Sequence, residues 1–453
     1  MRINFRHIAC CPNAVNFRSV MTFWPCVVTV AFLFARIPSS RAGDTNLEEQ
    51  VRLLQQQNAI LQQQLQKQGD ALNSLTQKVR ELETSRAADE NAASENAAPA
   101  TGGYNFGKVN LSGEGGVAFF NTGDEGFAPH SEFRVDEARL FVEAPIWKEV
   151  YFYSEVDLAT RENDNLNLRL GELYLDFQDA SQLWGRDNQF NVRAGRMNIP
   201  FGEEYLTRYA IDDPLISHSL SDLWGYDPGV EIYGSLGKFG YVLAVQNGSG
   251  ANGVQDFDGD KSVAGKISFD PNRHWHFSVS GMRTGDVNVQ KDFTSAEWFG
   301  TGFFQSLGSP ATTTFHANLV EGDVTARWNG GHVSAFGGYA RYGDNDPAAD
   351  NGRDIFYYSV EGVQNLPKKF YAAARFSEIL SDKGVPIVGY GDPGGEYFSD
   401  LTKDLWRLSL GVGYRFSDRL VVKTEYSFER GREVSGELRD DEDFFGTEAA
   451  FKF

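Results

Sequence analysis

Leu405 to Asp418 read LWRLSLGVGYRFSD. Trp406, Leu408, Leu410, Val412, Tyr414 and Phe416 fall on one parity, and Arg407, Ser409, Gly411, Gly413 and Arg415 on the other. A period of two is a β-strand with one apolar and one polar face. Lipid on one side and water on the other produce this alternation in a membrane barrel. A soluble sandwich also alternates, but its outward face is the polar one. Parity alone does not separate the two.

Working outward from this run, sixteen strand-like segments begin near Phe106, Glu132, Val150, Leu166, Phe190, Gly229, Phe239, Ser262, Trp275, Leu319, His332, Asp354, Phe370, Leu405, Leu420 and Asp443. Most span about ten residues, the length of a tilted membrane strand. Every second connection is short, near Pro145–Glu149, Leu236–Lys238, Asp270–His274, Asn329–His332, Leu366–Lys369 and Ser417–Arg419, with a slightly longer one at Asp179–Asn188. The others tend to be long: Phe201–Tyr226, Gly248–Asp260, Asp286–Asn318, Tyr342–Gly352 and Ser381–Lys403. Tight turns on one rim and long loops on the other are the outer-membrane pattern. A soluble sandwich has no reason for that asymmetry. The fold predicted for 104–453 is therefore all-β, a 16-stranded antiparallel transmembrane β-barrel with both termini on the periplasmic rim. Phe445, Thr447, Ala449, Phe451 and Phe453 share parity at the end, like the signal that outer-membrane assembly reads. LNLRLGELYLDF shifts phase near Gly171, which predicts a bulge.

The third long connection lies within RAGRMNIPFGEEYLTRYAIDDPLISHSLSDLWGY, Arg193 to Tyr226. Strand alternation stops at Gly195, Pro200 and Gly202. In DDPLISHSLSDLWGY, Asp212 or Asp213 would cap one short helix, with Pro214 in its first turn. With the barrel pattern around it, this stretch reads as a loop folded into the lumen that narrows the pore; an ordinary long surface loop is the competing reading.

A mean hydropathy of −0.39 excludes a helical membrane protein but not a barrel. A net charge of −20 argues against nucleic-acid binding. All three cysteines, Cys10, Cys11 and Cys26, lie near the N-terminus. Arg2, Arg6 and Arg18 precede an apolar stretch from Met21 to Ala35, and Ser40-Arg41-Ala42 offers a cleavage site. This predicts a signal peptide over 1–42; an uncleaved anchor is the competing reading. Cleavage removes five Arg and every cysteine, leaving a charge of −25. The segment 43–83 is heptad sequence. Val51, Asn58, Leu65, Leu72 and Val79 fit position a; Leu47, Leu54, Leu61, Gln68, Leu75 and Leu82 fit position d. An α-helical coiled coil that oligomerises the chain follows. The segment 84–103, TSRAADENAASENAAPATGG, reads as a flexible linker.

GRMNIPFG at Gly195–Gly202 closes the fifth predicted strand, and DPGVEIYG occupies Asp227–Gly234. With the sixteen-run layout and terminal Phe453, these make 104–453 resemble the phosphate-selective porin O/P family. The resemblance implies a homotrimer of barrels, an inward third loop, and anion uptake with phosphate as substrate. It links anion preference to pore arginines, and parity offers Arg139, Arg169, Arg193, Arg327, Arg375, Arg407 and Arg415, with Lys266 and Lys423. Arg208 would sit on the constriction loop beside Glu203, Glu204, Asp212 and Asp213. Glu137, Glu143, Glu155, Asp157, Glu172, Glu231, Glu361, Glu425 and Glu429 share the inward parity, so a mixed lumen is expected.

Asp256, Asp258 and Asp260 have calcium-like spacing without the remaining ligands of the known motif. His274 and His276 flank Trp275, where an interfacial aromatic girdle is the plainer reading than a metal. No metal, cofactor or catalytic constellation is expected. The leading expectation is a non-enzymatic outer-membrane porin passing small hydrophilic solutes or ions by diffusion, in contact with lipid and lipopolysaccharide. Its coiled coil would stand in the periplasm, with a possible periplasmic or cell-wall partner. A structural tether between outer membrane and cell wall is the alternative. A secreted, non-membrane β protein is the third.

Overall fold

In the strand Thr402–Ser417, Arg407, Ser409, Gly411 and Gly413 are buried while Leu410, Val412 and Phe416 are exposed. The apolar face is thus the outward one. That is the inverse of a sandwich in water. The computed structural model describes residues 104–106, 108–160, 168–186, 188–248, 259–288, 312–345, 351–391 and 401–453. The predicted signal peptide, coiled coil and linker lie outside the described residues.

Sixteen long strands form the wall. They are β1 (Val109–Thr122), β2 (Glu132–Trp147), β3 (Val150–Ala159), β4 (Arg169–Phe177), β5 (Asn191–Asn198), β6 (Tyr226–Leu236), β7 (Phe239–Gln246) and β8 (Ser262–Asn272). There follow β9 (Trp275–Arg283), β10 (Thr314–Trp328), β11 (Gly331–Asp344), β12 (Arg353–Asn365), β13 (Phe370–Val385), β14 (Thr402–Ser417), β15 (Leu420–Glu433) and β16 (Phe444–Lys452). Each pairs antiparallel with the next. Phe444 to Lys452 then pair with Thr122 to Glu114, so β16 closes on β1 and no edge is left open. Three shorter strands, Tyr104–Phe106, Val287–Asn288 and Leu438–Arg439, extend the sheet locally.

Two-residue turns join β2 to β3, β6 to β7, β8 to β9, β10 to β11 and β14 to β15. They share one rim with the 3₁₀ turns Ala180–Trp184 and Pro367–Lys369. The rim alternation read from the sequence is thus present. The register between β3 and β4 slips between Ser154 and Val156, which is the bulge expected near Gly171.

Val230, Val245, Ile267, Val279, Val320, Phe356, Val412 and Phe451 are exposed on the outside. The opposite parity is polar and shielded: Glu155, Ser280, Ser377, Ser409, Lys423, Glu425 and Glu448 are all buried. Its main apolar component is a cluster in which Ile199, Phe201, Leu220 and Leu223 pack with Met282, Phe315, Leu319, Tyr357, Ile379 and Leu405. The first four belong to the connection between β5 and β6; the rest come from β9, β10, β12, β13 and β14. A second cluster sets Ala210, Ile211 and Leu215 of that connection against Tyr371, Ala373, Val421 and Ala450.

Candidate functional site

The 199–225 connection leaves β5 through Gly202, whose φ is +68°. A Cβ there would lie 2.4 Å from a Glu321 carboxylate oxygen, so glycine serves both conformation and space. The Gly202 N–H donates to Ser280 Oγ at 3.0 Å, and its carbonyl accepts from Lys266 Nζ at 2.9 Å. A single 3₁₀ turn follows at Glu204–Thr207. The helix expected within 212–226 does not form; that stretch is irregular.

The reason lies in the wall. Lys423 Nζ donates to the carbonyls of Ala210, Asp213 and Leu215 at 2.8, 3.1 and 2.5 Å. Tyr371 Oη donates to the Pro214 carbonyl at 2.9 Å. Arg375 reaches the Ser217 carbonyl, and Arg407 the His218 carbonyl at 3.1 Å. Glu425 Oε2 accepts from the N–H groups of Ile216 and Ser217 at 2.5 and 2.8 Å. Ser377 Oγ accepts from the Leu220 N–H at 3.2 Å. Backbone groups that would close helical turns are engaged by side chains of β13, β14 and β15. Asp213 does cap locally, accepting the Leu215 N–H at 3.0 Å. On the far side, Tyr209 Oη donates to Glu155 of β3 at 3.1 Å.

The flagged residues divide into three groups. Arg375, Arg407 and Lys423 bind the connection and are also ion-paired. Arg375 meets Asp213 at 3.0 Å and Glu361 at 2.5 Å, Arg407 meets Glu429 at 2.6 Å, and Lys423 meets Glu448 at 3.0 Å. Arg139, Arg193 and Arg208 are paired elsewhere. Arg139 lies 3.1 Å from Asp157, with Glu137 and Glu155 at 3.5 Å. Arg193 donates to Glu231 at 3.1 Å and lies over the Tyr233 ring at 4.2 Å. Arg208 forks onto Asp222 and stacks at 3.8 Å on Trp224. Arg169 and Arg327 are exposed at strand ends, and Arg415 lies 5.0 Å over Tyr371. Among the acids, Glu203 pairs with Lys266 at 3.1 Å, Glu204 accepts from Ser219, and exposed Asp212 lies 3.7 Å from Lys452.

Burial raises the Asp213 carboxyl, but the Arg375 guanidinium, then His218 and Lys423, outweigh it and hold Asp213 well below the ordinary carboxylate range. Among the buried ionisable side chains of the described residues, carboxylates outnumber Arg and Lys by roughly two to one. The anchoring roles of Tyr371, Ser280 and Ser377 were missed from sequence. One signal was available: Gly411 on the inward face of β14. A Cβ there would lie 2.4 Å from Leu215 Cδ2, so the strand is pared down where the connection presses on it.

His276 lies between Asp270 at 2.8 Å and Glu203 at 3.4 Å, and His274 sits at 3.0 Å from the Arg327 carbonyl. Among the described residues no group of three or more His, Cys, Asp or Glu is placed to hold a metal ion. Asp256 and Asp258 lie outside the described residues.

Between the connection and strands β4 to β8 there is a cavity of about 410 Å³. Tyr205, Leu206 and Tyr209 line it from the connection; Tyr174, Arg193, Glu231, Tyr241 and Lys266 line it from the wall.

No family model matches the chain, and no curated protein is similar to it in sequence. Solved structures do match its fold. The outer membrane channel DcaP of Acinetobacter baumannii aligns over 76% of this chain and 97% of its own at 15% identity, with a TM-score of 0.51. A loop L8 deletion mutant of OmpT, an outer membrane protein of Vibrio cholerae, aligns over 76% and 99% at 14% identity, TM-score 0.50. Pseudomonas putida OprB aligns over 76% and 94% at 11% identity, TM-score 0.50. At these identities the likeness is one of fold.

Proposed function

We propose that this protein is a passive outer-membrane channel for small hydrophilic solutes and ions, narrowed by the 199–225 connection lying inside the barrel. The observation that carries the reading is the set of hydrogen bonds from one connection to strands as far round the ring as β3, β9, β13 and β15. A segment reaching all of these is best accommodated across the interior. The apolar outer face supports a bilayer as its surroundings. The fold likeness to outer-membrane proteins, including one described as a channel, supports the same reading.

The phosphate preference that the family resemblance implies is the weaker part. The arginines offered for it are mostly paired with carboxylates or spent on the connection, and buried acids are in excess. A weak cation preference suits this pattern better. The coiled coil suits a periplasmic extension of a homotrimer, with lipopolysaccharide contacts at the long-loop rim.

The test is the reversal potential of the purified protein in a planar bilayer under a salt gradient, with and without phosphate. The expected result is steady conductance, weakly cation-selective and not blocked by phosphate. Absence of conductance from correctly folded, heat-modifiable protein overturns the channel reading. Anion preference with phosphate block overturns the charge argument and favours the family's selectivity.

A further inference from the structure

A cavity of about 410 Å³ lies between the connection and β4 to β8. Its volume lies within the range of about 300–1,000 Å³ common for small-molecule pockets. Two features of its lining bear on what passes through it.

The first is charge compensation at close range. Arg193 donates to Glu231 at 3.1 Å and has Asp176 at 3.5 Å. Lys266 is held by Glu203 at 3.1 Å and by the Gly202 carbonyl at 2.9 Å. Glu172 accepts the Asn198 N–H at 2.7 Å. A charged solute entering here would lose hydration and find Arg193, Glu231 and Lys266 already engaged by opposite charge. An uncharged solute bears no such cost. Its hydroxyl groups could share the spare lone pairs of the carboxylates and the remaining N–H groups of the guanidinium.

The second is the phenol density. Tyr174, Tyr205, Tyr209, Tyr233 and Tyr241 all line the one cavity. Three of their hydroxyls are committed to the wall: Tyr209 to Glu155, Tyr233 to Asp176 and Tyr241 to the Gln189 carbonyl. The rings are thereby fixed in orientation. Fixed aromatic rings offer apolar area at low entropic cost, with polar groups at their margins. Solutes with C–H faces and a rim of hydroxyls match that surface.

From these features we infer that the cavity is a binding subsite for neutral polyhydroxylated solutes of mono- to disaccharide size. This deepens the channel reading and rests on it.

The test uses the full chain in planar bilayers. Sucrose and glucose are added at millimolar concentration, and phosphate, choline and glycine betaine serve as charged comparators. The expected result is a saturable fall in single-channel conductance with sucrose or glucose, beyond the change in bulk conductivity, and no saturable fall with the comparators. Tyr205→Ala weakens the block by roughly two- to tenfold, the range for one aromatic contact, and Tyr205→Phe restores it. Tyr174→Ala serves as the second variant if the first does not fold. Conductance without saccharide block, or stronger block by a charged comparator, overturns the subsite while leaving the channel standing. Saccharide block that neither variant changes overturns its location. Absence of conductance removes the channel reading itself.

Discussion

Glu425→Ala tests whether the 199–225 connection sets the width of the passage. Glu425 Oε2 takes the N–H groups of Ile216 and Ser217, while Oε1 accepts Ser217 Oγ and, at 2.6 Å, Ser427 Oγ. Ile216 and Ser217 are buried, at 1% and 3% exposure, so water does not replace the lost acceptor. Each orphaned N–H costs about 1–3 kcal/mol, so docking of this segment weakens by about 2–6 kcal/mol. At about 1.4 kcal/mol per tenfold, the released fraction rises by roughly 30-fold or more. Lys423, Arg375 and Arg407 still hold the flanks, so release centres on Leu215 to His218. The assay is single-channel recording together with liposome swelling in solutes of graded size. The expected result is a new, larger conductance level and a raised size limit. Glu425→Gln keeps an oxygen for the two N–H groups and loses only charge assistance, so it falls between wild type and Ala. A folded Ala variant with wild-type conductance and size limit would refute the proposed constriction.

Arg193→Gln leaves Glu231 without its cation. At about 5 Å and the dielectric of water a unit charge is worth about 0.8 kcal/mol, so relative cation permeability should rise roughly fourfold, read as a shift in reversal potential. Gly202→Val forces a β-branched residue to φ +68° and sets its Cβ 2.4 Å from a Glu321 oxygen. A loss of more than about 2 kcal/mol is expected, seen as a lower yield of heat-modifiable barrel. Asp213 titrates below its unfolded value, so its contribution to docking is present above the ordinary carboxylate range and lost only as pH falls through that depressed value. Conductance should therefore show no opening step between pH 7 and pH 4 that Asp213→Asn removes; such a step would contradict the ion pairing described.

The wall was legible because its signals are local and repeated. Tight turns at Lys148-Glu149, Gly237-Lys238 and Asn329-Gly330 marked one rim, and the alternation in Leu405–Asp418 marked two faces. The interior was less legible. DDPLISHSLSDLWGY carries a good N-cap and an N1 proline, yet its backbone is engaged by Lys423, Tyr371 and Glu425, more than 150 residues away in sequence. Local helix signals lose to anchors that no local window contains. Parity did place Arg375, Arg407 and Lys423 on the inward face. What it did not convey was their occupation: a basic residue facing an aqueous passage and one clamping a buried carbonyl look the same in sequence.

These two uses of an inward arginine compete. A cation that attracts solute anions must keep its field unneutralised towards the passage. A cation that fastens a loop must sit within about 3 Å of a carbonyl and, when buried, beside a carboxylate that offsets its desolvation. Arg375 and Arg407 meet the second requirement on both counts, with the Ser217 and His218 carbonyls on one side and Glu361 and Glu429 on the other. Every such anchor brings a carboxylate inward with it. An interior built this way grows more acidic as its loop is fastened more tightly. Here that logic yields a wall where Tyr371, Lys423 and Glu425 hold the connection, and another side, lined by Tyr174, Tyr233 and Tyr241, where Arg193 meets Glu231 and Lys266 meets Glu203. The side that leaves a cavity beside its anchors is then where selectivity by shape and hydrogen bonding, rather than by sign of charge, has room to act.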